Sequence, residues 1–133
     1  MRGSCLCRQI EYEVSKLESP PRHCSCGMCR KAHASAFNTS ASVARNNFRL
    51  LKGDMNLRFY ESSPGKRRYF CGNCGSHLFA QRDGSKTIAL RVATLDDDPG
   101  QRPHAHIWVS REVPWLRYGA GVESYAEWEP KTA

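Results

Sequence analysis

The arrangement of seven cysteines constrains this 133-residue chain more than any other feature. They form a CxC pair, a CxCxxC triplet and a CxxC pair, in that order along the sequence. The N-terminal residues lack the apolar segment of a secretory signal, so we expect a cytoplasmic protein whose thiols stay reduced. Clustered cysteines in a reducing compartment favour metal binding. The alternative of disulfide pairing would leave one cysteine over, and the two members of a CxC are poorly placed to bridge each other.

The stretch CGNCG has the form of a metal-binding knuckle. Glycine tolerates the positive φ of a tight turn, and the N–H groups of the turn can point at the sulfurs. A knuckle of this kind is half of a zinc-ribbon site, and the CxC pair supplies the other half. We expect that pair in extended backbone, where residues two apart point to the same face. The spacing predicts a closed structural zinc site that ties the first strand to a distant hairpin, with the ligands Cys5, Cys7, Cys71 and Cys74.

The triplet Cys24, Cys26 and Cys29 places three thiolates on one loop and at the start of one helix. Three protein ligands and an exchangeable position are the usual arrangement of a catalytic zinc. We therefore predict two zinc ions per chain, the second with an open fourth position. The alternative is a second structural site closed by histidine. His33 is the nearest candidate because it lies four residues after Cys29 on the same helical face, and we count it among the candidate catalytic residues.

A zinc ion held by three thiolates favours particular chemistry. The sulfurs donate much charge, so a bound water would be a weaker acid than on a zinc held by three histidines. Hydrolysis is therefore disfavoured, whereas a soft, sulfur-rich site suits a fourth sulfur. We expect a thiol substrate bound as thiolate, since zinc lowers the pKa of the thiol and keeps it nucleophilic. Glutathione, an abundant anionic thiol, fits this description.

Positive charge is concentrated in one segment of the chain. The net charge is +7, and residues 30–68 contain nine Lys or Arg against two acids. Such a segment attracts nucleic acid or a small anionic substrate. Nucleic acid is the less favoured partner, because the charges are scattered through strands without a set of stacking aromatics or a reading helix. We expect Lys66, Arg67 and Arg68 to be exposed charges at the entry to a strand. No apolar run approaches the ~20 residues of a membrane helix, so no membrane partner is expected.

The hydrophobic periodicity is mostly that of β-strands. Period-two alternation, or short runs rich in aromatic and β-branched residues, predicts strands at 9–14, 56–60, 67–70, 76–80, 87–92 and 106–109. The one helical candidate is 27–34. These elements predict a mainly β domain covering residues 1–133, with the large aromatic residues Trp108 and Trp115 in its core.

Four stretches together resemble a known family: GSCLCRQIEYEV, CSCGMCRK followed by SAF, RRYFCGNCGSHLF, and ATLDDDPGQRPHAHIWVSREVPW. They are similar, in this order, to the glutathione-dependent formaldehyde-activating enzyme family, which also includes the centromere protein V domain. The resemblance covers about residues 3–128. It implies a mainly β fold of the Mss4-like or β-tent kind, in which short antiparallel strands are stapled by zinc beside one short helix. It also implies a structural and a catalytic zinc on the two cysteine groups partitioned above.

The family's named reaction adds formaldehyde to glutathione to give S-hydroxymethylglutathione, formally a carbon–sulfur lyase run in reverse. The resemblance implies an enzyme of this type, acting on a thiol adduct with formaldehyde or a related small electrophile. The chain departs from the family pattern at His33 and Ala34, where small residues such as Ser-Gly are common. The alternative function is a non-catalytic, zinc-stabilised binding module for nucleic acid or protein. The sequence does not specify the oligomeric state.

Overall fold

The computed structural model describes residues 1–116 and 125–130. This part of the chain contains ten strands and one α-helix, which confirms a mainly β fold. The elements are β1 (Arg2–Ser4), β2 (Glu11–Val14), β3 (Arg22–Cys24), α1 (Gly27–His33), β4 (Asn38–Ala44), β5 (Phe48–Lys52), β6 (Leu57–Ser63), β7 (Lys66–Cys71), β8 (His77–Arg82), β9 (Thr87–Arg91) and β10 (Ala105–Ile107). Within the described residues, no helix is long and apolar enough to cross a membrane. The predicted single domain also includes 117–124 and 131–133, which lie outside the described residues, and its extent stays a prediction.

The strands form two sheets, ordered β1-β2-β5 and β10-β3-β4-β9-β8-β7-β6. All neighbours pair antiparallel, as predicted, except β10 and β3, which run parallel at one edge of the large sheet. The long connection between β3 and β10 permits a parallel pair, which a tight hairpin could not.

The hydrophobic core lies between the two sheets. Tyr12 of the small sheet stacks on Phe48 at 5.2 Å between ring centroids, and Phe48 packs on Phe79 of the large sheet at 5.0 Å. The fully buried Val43 and Leu90 line the facing side of the large sheet. Because side chains alternate along a strand, the residues between these positions point to the opposite face of the large sheet.

That opposite face is polar and is nevertheless covered. In the strand pairing, Arg68 lies opposite Ala80 and Arg91 lies opposite Ser40. Both arginines therefore have small residues as their cross-strand neighbours, and neither is paired with a large core side chain. Arg68 is 2% exposed and Arg91 is 5% exposed. The prediction that Arg68 is an exposed charge is therefore wrong, and its neighbours Lys66 and Arg67 are also partly buried. The periodicity of a strand shows which side chains share a face of the sheet. It cannot show that helix α1 and its flanking loops cover the polar face of the large sheet.

The predicted helix at 27–34 is confirmed, with its last residue at His33. Cys26 is the N-cap, and its sulfur accepts a hydrogen bond from the N–H of Cys29 at 3.4 Å. The helix ends because Ala34 adopts a left-handed conformation with φ of 47°, and its N–H donates to the carbonyl of Arg30. This is a position that glycine occupies with less strain.

The strand predictions at 9–14, 56–60, 67–70, 76–80 and 87–92 correspond to β2, β6, β7, β8 and β9. The run at 106–109 is cut short, since Trp108 turns to the left-handed region with φ of 58°. Trp108 and Trp115 are 57% and 71% exposed, so their expected place in the core is wrong. Four strands were not predicted, among them β4, whose NTSASVA sequence has few of the bulky residues that mark a strand.

Candidate metal centres

The first cysteine cluster brings together the turn after β1 and the connection between β7 and β8. The sulfurs of Cys5, Cys7, Cys71 and Cys74 all lie within 4.8 Å of one another. The Sγ atoms of Cys5 and Cys7 are 3.6 Å apart, and those of Cys7 and Cys71 are 3.9 Å apart. Four converging sulfurs form a donor set that suits zinc.

Two turns, rather than one turn and one extended strand, hold this cluster. Strand β1 ends at Ser4, and the N–H of Arg8 donates to the carbonyl of Cys5 at 3.0 Å, with Arg8 at a φ of 62°. The expectation of an extended CxC is therefore wrong, although the pairing that it led to is correct. On the other side, β7 ends at Cys71, and the N–H of Gly75 closes a turn to its carbonyl at 2.8 Å.

The sulfurs of the first cluster cannot easily ionise together without a cation. Burial raises the pKa of the Cys5 thiol to about 11. Burial would also raise the pKa of Cys74, but hydrogen bonds from the side chain and backbone of Ser76 lower it to about 5. A divalent cation would offset the repulsion among neighbouring thiolates, and the close packing of the sulfurs is what such a site requires.

The second cluster consists of Cys24, Cys26 and Cys29, whose sulfurs also lie within 4.8 Å of one another. Cys24 ends β3 and Cys29 lies in the first turn of α1, so a strand end and a helix start meet here. Strand β10 braces the intervening loop, because the Ser25 hydroxyl lies 2.6 Å from Nε2 of His106 and the Ser25 N–H donates to Ile107 at 3.1 Å.

The sulfurs of this second cluster differ in their surroundings. Burial raises the pKa of the Cys24 thiol to about 12. Burial opposes ionisation of Cys26 as well, but the N–H of Cys29 and the neighbouring thiols lower the pKa of Cys26. The helix N-terminus thus favours a thiolate at its own cap.

His33 lies near this cluster without joining it. Among the described residues the group of ligand atoms contains the three cysteines only. The His33 ring packs against His77 at 4.8 Å between centroids, and no residue that the structure describes forms a hydrogen bond with its buried Nε2. Burial, and then the charges of Arg91, His77 and Arg68, lower the pKa of His33 to about 3. The imidazole is therefore neutral at physiological pH.

Two buried arginines face the second cluster, and the sequence did not single them out for it. Nη1 of Arg68 lies 3.9 Å from the sulfur of Cys29, and Nε of Arg68 donates to the Ser62 hydroxyl at 2.9 Å. Nε and Nη2 of Arg91 are buried, and no hydrogen-bond partner for them occurs in the described part of the chain. Burial and then Arg68 lower the pKa of Arg91 to about 10, while the sulfurs of the cluster oppose this shift. The available signal was an arginine inside an apolar strand run, as in TIALRV.

Two cavities are lined by residues that flank the second cluster, although none of its cysteines lines either of them. One, of about 440 Å³, lies between α1 and strands β6 and β7, with Arg68 and His77 in its wall. The other, of about 400 Å³, is lined by His33, Phe37 and Arg91 among others. Both volumes suit a small molecule rather than a polymer. The second cluster therefore has sulfur, buried positive charge and space for a ligand nearby. A cavity of about 330 Å³ is also lined by Cys5 of the first cluster, so sulfur number and the buried arginines distinguish the two centres.

The fold and these clusters define a mainly β domain with two candidate metal centres, one of four sulfurs and one of three. A sequence profile for the glutathione-dependent formaldehyde-activating enzyme matches residues 1–111. The chain belongs to this family.

The relatives found by sequence and by structure are distant. Proteins of Aspergillus flavus and Aspergillus oryzae, provisionally named glutathione-dependent formaldehyde-activating enzymes, are each 29% identical over 79 residues. That match covers 58% of this chain and only 41% of each relative, so less than half of the relatives' length is represented. The crystal structure of a Rhodobacter sphaeroides protein superimposes with a TM-score of 0.64 at 28% identity, over 77% of this chain and 98% of that one.

Proposed function

We propose that this protein is a zinc-dependent enzyme that forms or breaks a carbon–sulfur bond between a thiol and a small carbonyl compound. The observation that carries the proposal is the contrast between the clusters. One brings together four sulfurs, and the other, among the described residues, brings together three. A four-cysteine zinc site is closed and structural, whereas three protein ligands leave a position for a substrate.

The residues of the second cluster fit a zinc ion. Thiolate sulfur is a preferred zinc donor, and Cys26 at the helix N-terminus is favoured as thiolate. Zinc bound there would lower the pKa of an incoming thiol and keep it nucleophilic. Cys24, Cys26 and Cys29 would hold the ion, and His33 forms part of a cavity wall nearby, where its neutral ring can contact a substrate without adding charge.

Glutathione and formaldehyde are the proposed reactants. The thiolate sulfur attacks the carbonyl carbon, a C–S bond forms, the C=O π bond breaks, and the oxygen takes a proton from solvent to give S-hydroxymethylglutathione. The reverse reaction is that of a carbon–sulfur lyase. The chain's contribution is to hold both reactants in one small pocket, which removes much of the entropic cost of their encounter.

The test is to follow exchange between glutathione, formaldehyde and S-hydroxymethylglutathione by NMR. We expect faster exchange with the wild-type protein than with Cys26→Ser or without protein. Because serine is also a good N-cap, this variant removes a metal ligand while preserving the helix start. Equal rates in all three samples, repeated with several thiols, would refute the proposed reaction.

The alternative of a nucleic-acid-binding module loses support from the buried side chains. Arg68, one of the nine basic residues of the segment 30–68, is 2% exposed and so cannot reach a phosphate from the surface. A gel shift with a salt titration separates the two functions, because phosphate contacts weaken steeply with salt.

A further inference from the structure

Arg68 and Arg91 are two buried cations without a carboxylate partner in the part of the chain that the structure describes. The ion pairs found there join other, more exposed residues, such as Arg49 with Glu13 and Lys52 with Glu11. Arg68 donates to the neutral Ser62 hydroxyl, and two nitrogens of Arg91 have no hydrogen-bond partner among the described residues. Arginine is almost never fully buried unless paired, because an unpaired buried charge is costly. Their counter-charge must therefore come from elsewhere in the site.

With a metal ion bound, the sulfurs of the second cluster would be the anions that these arginines face. Nη1 of Arg68 lies 3.9 Å from the Cys29 sulfur. Arg91 pairs with Ser40 of β4, two residues from Asn38, which pairs with Cys24 of the cluster. Among residues 1–116 and 125–130, the other titratable groups that interact with Arg91 and Arg68 are Lys66, which is partly exposed to solvent, and the histidines His33 and His77. These groups supply no negative charge.

A count of formal charges shows which ligand completes the site. Three thiolates with one zinc ion leave a single negative charge, and two guanidinium groups add two positive charges. The buried site is then positive by one charge. A thiolate at the fourth position makes it neutral, whereas a water molecule or an imidazole leaves the positive charge in place.

We propose that Arg68 and Arg91 are positioning residues that make the fourth position select an anionic sulfur ligand over a neutral ligand. This inference rests on the proposed function, since it assumes a metal ion on the three cysteines. It extends that function by assigning ligand selection to two residues that do not bind the metal. The low-dielectric surroundings make the selection strong, because charges interact more strongly in the interior than in water.

The test uses the full chain loaded with Co²⁺ in place of zinc, since the visible spectrum of cobalt reports the ligands at each position. The protein is titrated with 2-mercaptoethanol, which binds as a thiolate and carries no carboxylate, and separately with imidazole, which binds neutral. The variants are Arg91→Gln and Arg68→Gln, with Arg91→Lys to restore the charge. The matched control is Arg82→Gln, at an exposed arginine on the same sheet.

We expect Arg91→Gln and Arg68→Gln to weaken thiolate binding by about 10- to 100-fold relative to imidazole binding, and Arg91→Lys to recover part of the loss. Arg82→Gln should change neither ligand. Equal weakening of both ligands, or unchanged binding of both, would overturn the inference, because a purely structural role does not discriminate by charge. A wild-type protein that takes up no thiolate would overturn it together with the proposed function. Selective thiolate binding without any catalysed exchange would support this inference and refute the proposed reaction alone.

Discussion

Loss of a metal ligand should cost more folding free energy in the first cluster than in the second. We compare Cys74→Ser with Cys26→Ser, which make the same chemical change at two partly exposed cysteines. The first cluster joins Cys7 to Cys71, which are 64 positions apart, whereas the ligands of the second cluster all lie within 24–29. The two variants therefore differ mainly in the length of the loop that the bound metal closes.

The expected magnitude follows from loop closure. If the bound metal acts as a cross-link, constraining the unfolded chain across 64 positions contributes about 4 kcal/mol, against about 2 kcal/mol for the short loop of the second cluster. A domain of this kind has a total stability of ~5–15 kcal/mol. Cys74→Ser should therefore remove a large part of the stability, while Cys26→Ser should stay folded and keep its helix cap.

The assay is urea unfolding of both variants and the wild type in the presence of zinc, together with metal analysis. We expect two zinc ions per chain in the wild type and one in each variant, with a difference of about 2 kcal/mol in unfolding free energy between the variants. Equal destabilisation would mean that both centres are structural. A Cys74→Ser protein that keeps two zinc ions and full stability would refute the assignment of the first cluster.

Three further predictions concern residues near the centres and the core. Ala34→Gly should raise the free energy of unfolding by about 1 kcal/mol in thermal unfolding, since glycine suits the left-handed helix end. A loss of stability would contradict the argument that the positive φ of Ala34 is strained. His33→Ala should leave the zinc content unchanged and alter only thiol affinity, because His33 lies outside the group of three sulfurs; loss of one zinc would instead make it the fourth ligand. Gly3→Ala should destabilise by about 1–3 kcal/mol in urea, because its Cβ would overlap the buried ring of Tyr12, whereas Gly27→Ala meets no atom within 4 Å and should be tolerated.

The sequence by itself determined the partition of the cysteines. The identity and spacing of the candidate ligands can be read from the sequence. Cys71 and Cys74 need a remote pair of cysteines to complete a four-sulfur site, and once that pair is assigned, only the CxCxxC triplet remains. The strands that were found, such as β8 and β9, contain short runs rich in aromatic and aliphatic residues, and such runs can be recognised in the sequence without knowledge of the tertiary structure. The short helix was predictable as well, although the reason it ends at His33 is the conformation of Ala34.

Only the tertiary structure decided what surrounds the second centre. Arg68 and Arg91 look like ordinary strand residues, and nothing local distinguishes an arginine facing solvent from one covered by α1 and its flanking loops. The polar strand β4 is held by pairing with β3 and β9 rather than by its own propensity. Burial and charge at the site depend on which strands become neighbours, and that follows from long-range pairing across the whole sheet rather than from any local pattern in the chain.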